Sequence, residues 1–111
     1  MYSKELLKGT LQTVILKLLS DEGKMYGYEI TQKVKELSDG HMVLTEGALY
    51  PTLHKLEAEG FLEKEKVSIG KRVRKYYKLT HTGTSSVAEK IDEFTHFITI
   101  MNKVLQIKPA I

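Results

Sequence analysis

A mainly α-helical fold with one small β-hairpin is predicted by three features. Three segments of helical period precede Gly60, a glycine-centred pair of strand-like runs follows it, and the last segment repeats its apolar residues as a heptad. The 111 residues suit one compact domain, and 41% hydrophobic with 28% charged residues is the composition of an ordinary globular protein.

The first helix is expected over about Thr10 to Ser20, where Leu11, Val14, Ile15, Leu18 and Leu19 share one face. Gly9 separates it from a short turn over Lys4 to Leu7, and Asp21-Glu22-Gly23-Lys24 reads as its polar stop. A second helix begins near Tyr26-Gly27 and places Ile30, Val34 and Leu37 inward before Ser38-Asp39-Gly40 ends it. Thr45 stands where an N-cap belongs, and a third helix follows to about Glu59, closed by Gly60. Leu49, Leu53 and Leu56 turn inward, so Gly47, Tyr50, Pro51, His54 and Lys55 fall on or beside the outward face.

Phe61 to Val67 and Val73 to Leu79 are the two strands of the hairpin, with Ser68 to Arg72 as a turn containing Gly70. Alternation puts Tyr77 and Leu79 on a buried face and Arg74, Tyr76 and Lys78 on a solvated one; Lys75 shares the buried face and must extend its amine to water. Thr80 is a second N-cap, and His81 to about Gln106 reads as one helix about 39 Å long. Its seam, Val87, Ile91, Phe94, Ile98, Met101 and Leu105, is expected to pair with a second copy of the chain, because one small domain does not cover such a helix. The division is therefore 1–80, three helices and a wing, and 81–111, a dimerisation helix, joined in one compact unit. Three helices followed by a two-stranded wing is the winged helix-turn-helix arrangement.

Charge localises the partner. Residues 1–60 carry 7 lysines against 9 carboxylates and residues 81–111 carry 3 of each, whereas residues 61–80 carry 7 cations against 2 glutamates. The whole positive excess lies in the hairpin, which suits a polyanion such as double-stranded DNA. On this reading Lys71, Arg72, Arg74 and Lys75 contact DNA from the wing, while Thr45, Gly47, Ala48, Tyr50, His54 and Lys55 do so from the third helix. The hairpin alone also fits a module for acidic protein or RNA, or a ligand sensor without DNA function; duplex binding with a steep salt dependence separates these readings.

Several chemistries find no support. There is no cysteine, so thiolate, disulfide and iron–sulfur chemistry are excluded, and the four histidines are scattered without metal-ligand spacing. No glycine-rich phosphate loop or nucleophile elbow occurs, so neither an enzyme nor a cofactor is expected. The start lacks a secretory pattern and no apolar run reaches about 18 residues, so a cytoplasmic chain with no membrane span is expected.

Five ordered motifs carry a family resemblance: Leu11 to Leu19, Tyr26-Gly27-Tyr28-Glu29-Ile30, Gly47-Ala48-Leu49-Tyr50-Pro51-Thr52-Leu53, Leu56 to Leu62, and Arg74 to Gly83. Together they resemble PadR-like transcriptional regulators over about residues 9–83, and the single C-terminal helix resembles the short subgroup of that family. The resemblance implies a homodimeric repressor on a pseudopalindromic operator, relieved by a small molecule that is often aromatic. Phe94 and Phe97 are the candidate ligand contacts, against the simpler reading that both are dimer core.

Overall fold

The computed structural model describes residues 2–108. It is mostly helical: α1 (Lys4–Lys8), α2 (Leu11–Glu22), α3 (Gly27–Leu37), α4 (Glu46–Ala58) and α5 (His81–Leu105) surround a sheet of β1 (Lys24–Tyr26), β2 (Leu62–Ile69) and β3 (Arg72–Leu79). The strands are antiparallel in the order β1-β3-β2, so the second hairpin strand is central.

The core lies between the sheet and α2, α3 and α4. Leu11, Ile15, Leu18 and Leu19 from α2, Ile30 and Val34 from α3, and Leu49, Leu53 and Leu56 from α4 are buried together with Leu62 and Tyr77 of the sheet. Leu16, outside the expected face of α2, is also fully buried. The reason is that α2 is packed from several sides, by α4 and β3 and also along α5. Leu37, expected inward, is 65% exposed, because it is the last residue of α3 and the chain turns away at Ser38.

Two local differences from the sequence reading have clear causes. Lys24 to Tyr26, which runs from the end of the expected stop to the expected start of the second helix, pairs with Tyr76 to Lys78 and adds a third strand, which buries Met25 beside Tyr77. Three residues are too few to show an alternation of their own. The hairpin turn is also tighter than expected: Ile69 pairs with Arg72, leaving only Gly70 and Lys71 as the loop. Gly70 has φ 61 and Lys71 does not share the positive sign, which is the pattern of a two-residue II′ turn.

The junction between wing and last helix is closely fitted. The Thr80 N–H donates to the Phe61 carbonyl at 3.0 Å, its hydroxyl donates to the Gly60 carbonyl at 2.6 Å, and the same oxygen accepts from the Gly83 N–H at 3.0 Å. A Cβ on Gly83 would collide with the Phe61 carbonyl oxygen, so only glycine lets α5 start this near the strand. Val87 is 8% exposed and Ile91 packs against the same core, so the first turns of α5 are covered by the chain itself. No helix among the described residues is long and apolar enough to cross a membrane.

Candidate nucleic-acid interface

The outward side of α4 is built around its first turn. Thr45 caps it, accepting from the Ala48 N–H at 3.2 Å, and Glu46 supplies a carboxylate at the positive end of the helix dipole. Gly47 is exposed, and a Cβ there would meet only the Thr45 hydroxyl, at 3.8 Å. Nothing in the fold demands glycine at this helical position, where it costs about 1 kcal/mol relative to alanine. What it leaves is a stretch of backbone without a side chain over it. Pro51, inside the helix, has no N–H to donate to the Gly47 carbonyl, yet α4 runs through it to Ala58.

Tyr50 leans from α4 onto the start of α3. A Cβ on Gly27 would collide with the Tyr50 hydroxyl, so the missing side chain of Gly27 is the seat of that ring. The ring is 36% exposed and lies 6.3 Å from His54, centroid to centroid. Tyr50 thus connects the two helices of the helix-turn-helix as well as facing outward. His54 and Lys55 are exposed one turn further along, and Ala48 is half-buried.

The wing sorts its charges by position. At its base, Lys78 pairs with Glu63 at 3.5 Å, Lys24 with Glu65 at 3.2 Å, and Lys64 with Glu57 of α4 at 3.5 Å. From Lys66 to Lys78 there is no acidic residue. Lys66, Lys71, Arg72 and Lys75 are exposed and have no carboxylate partner among the described residues.

Arg74 is a correction to the simple picture of a solvated face. Its guanidinium lies 4.1 Å from the centroid of the Tyr26 ring, which meets Tyr76 edge-on at 5.4 Å and stacks with Tyr28 at 6.4 Å. Its pKa is raised, first by a hydrogen bond with the Tyr76 side chain. The β1 strand brings Tyr26 there, and nothing local in the sequence announces that pairing. Lys66 lies outside the contact set expected from the sequence, because Glu63 and Glu65 interrupt the basic run beside it; alternation turns those carboxylates to the other face, and the strand register sets Lys66 opposite Lys75.

On α5 the seam divides. Val87 and Ile91 belong to the core of the chain, Phe94 and Met101 are half-buried, and Ile98 and Leu105 are exposed. Phe97, Ile100, Val104 and Ile107 are exposed too, Phe97 at 59% and Val104 at 67%. Neither Phe94 nor Phe97 lines the surface hollows on α3, which run along Gln32, Lys35 and Glu36 and beside Tyr26 and Tyr28. Among the described residues, no group of three histidine or carboxylate side chains converges as a metal site.

Known proteins share this arrangement. The sequence profile described as "Transcriptional regulator PadR-like family" matches residues 15–89. A transcriptional regulator of Mycobacterium tuberculosis is 34% identical over 86 residues, covering 78% of this chain and 77% of its own. Among solved structures, a transcriptional regulator from Clostridium thermocellum superposes with a TM-score of 0.81 at 30% identity, over 89% of this chain and 96% of the other. A PadR-like transcriptional regulator from Bacillus cereus gives 0.74 at 30% identity, over 94% and 99%.

Proposed function

The chain belongs to the transcriptional regulator PadR-like family, and from that premise we propose that it is a repressor that binds a pseudopalindromic operator in double-stranded DNA as a homodimer. The observation that carries this reading is the pairing of an acid-free wing segment, Lys66 to Lys78, with a neighbouring helix whose exposed first turn is bare at Gly47. The wing supplies affinity through phosphates, using Lys71, Arg72 and Lys75. Specificity falls to α4, where Thr45, Gly47, Ala48, Tyr50, His54 and Lys55 reach backbone and base edges.

Two copies join through the free part of α5, around Phe94, Ile98, Met101 and Leu105, and set two α4 helices into successive major grooves. A small aromatic ligand received near Phe94 and Phe97 of the paired helices relieves repression by altering that spacing; the family resemblance supports this, together with the exposed Phe97 ring.

A duplex titration across a salt series tests the central claim. The wild type is expected to bind with a steep salt dependence, and the Lys71→Gln/Arg72→Gln variant to lose affinity for selected and random duplex alike, with a slope lower by about two. Equal affinity and slope in the variant would remove the tip of the wing from the contact.

A further inference from the structure

Cross-strand neighbours on a hairpin point to the same face with Cβ atoms about 4.5–5.5 Å apart, and like charges placed so are destabilising. The wing contains such a pair: Lys66 stands directly opposite Lys75, both exposed. It is a poor arrangement for an isolated hairpin. The same sheet pairs Lys78 and Lys24 with glutamates of β2, so carboxylates are available to β2 and are used on its other face.

The face on which this pair lies is known. Tyr77, two residues from Lys75, is buried in the core, and Lys64, two residues from Lys66, reaches Glu57 of α4. Lys66 and Lys75 therefore project on the α4 side of the sheet, about 7 Å further toward the tip than the Lys64–Glu57 ion pair. Arg74 lies on the opposite side, against Tyr26. A lysine on an edge strand also discourages strand addition. That purpose would be met by Lys66 alone and does not call for a second lysine facing it from central β3.

We propose that Lys66 and Lys75 form a clamp for the phosphodiester backbone, and that the duplex runs along the α4-facing side of the wing. The inference rests on the DNA-binding function proposed above and adds Lys66 as a contact. In the free protein the two ammonium groups repel each other; a phosphate between them converts that repulsion into two attractive contacts. The clamp thus couples the order of the wing to DNA occupancy.

The test uses the full chain, a labelled duplex of random sequence, and variants Lys66→Gln, Lys66→Glu, Lys75→Gln and Lys66→Gln/Lys75→Gln. Lys66→Gln is expected to weaken binding several-fold and to lower the salt slope by about one. The double variant is expected to lose less than the sum of the single losses, because both amines serve one stretch of backbone. Lys66→Glu separates this role from a structural one: it places opposite charges across the strands, so the free protein keeps or raises its Tm while binding weakens further. Wild-type affinity and slope in Lys66→Gln would overturn the clamp, as would a lowered Tm in Lys66→Glu. A wild type that binds no duplex would overturn the proposed function itself, and with it this inference. The two failures are distinguishable, since in the first the wild type binds and the variant matches it.

Discussion

Gly27 and Gly83 both occupy positions where a side chain would strike a neighbour, but the neighbours differ in kind. At Gly83 the obstacle is the Phe61 carbonyl, fixed by its hydrogen bond from Thr80. At Gly27 it is the hydroxyl end of Tyr50, which can swing aside. Gly83→Ala is therefore expected to cost about 1–3 kcal/mol, as overpacking does, and to lower Tm in a thermal melt. Gly27→Ala is expected to leave Tm within a few degrees of the wild type but to weaken duplex binding, because the displaced ring lies on the helix proposed to enter the groove. A Gly83 variant as stable as the wild type would show that α5 can shift along the strand. Burial raises the pKa of Tyr77 above the ordinary 10.0, with smaller contributions from Glu57 and Tyr50. The fold binds this proton more tightly than the unfolded chain does, so the stabilisation is complete below about pH 10 and declines as pH rises through the folded value. Tyr77→Phe should remove that alkaline decline relative to the wild type in denaturant titrations at increasing pH.

At the scale of the element, α4 depends on a cap that also borders the face proposed to contact DNA. Thr45→Ala removes the bond to the Ala48 N–H and should cost about 1 kcal/mol. It should also reduce duplex affinity by more than the stability loss explains, since the first turn frays where Gly47 lies; equal affinity would place contact further along the helix. The caps, the inward leucines and the span of α4 were readable from Thr45, Leu49, Leu53 and Leu56 because they depend on spacing within one element. The same local logic yields Thr80 and the start of α5. What the sequence does not display is partnership between distant elements. The stacking of Arg74 on Tyr26 requires β1 to pair with β3, and the Lys66–Lys75 apposition requires the two-residue turn that sets the hairpin register. A register shifted by one residue would have turned Lys66 to the face opposite Lys75 and placed Arg74 or Tyr76 across from it instead.

The molecule is elongated, 54 × 29 × 23 Å, and a 25-residue helix accounts for about 38 Å of length. Only the beginning of that helix is held by the chain. Gly83 and Val87 are buried and Ile91 packs on the core, after which Phe97, Ile98, Ile100, Val104 and Leu105 face outward. Exposed apolar side chains spaced along one helix are what a second copy would cover, and such an interface needs about 800 Å² per partner to be stable. Ile98→Glu places a charge in the middle of the stripe, where the single chain leaves the side chain exposed. If the proposed dimer forms through this stripe, the variant should therefore sediment as a monomer where the wild type sediments as a dimer, without lowering the stability of the folded monomer. Duplex affinity should fall by about 100-fold or more, because two linked half-site contacts become one. The same geometry constrains the operator: moving the half-sites apart by about half a helical turn should abolish tight binding and a full turn should partly restore it, since rotation carries the second groove away from the second α4 and back. Binding that tolerates every spacing, with Ile98→Glu sedimenting as the wild type does, would overturn the proposal that the α5 stripe pairs two copies.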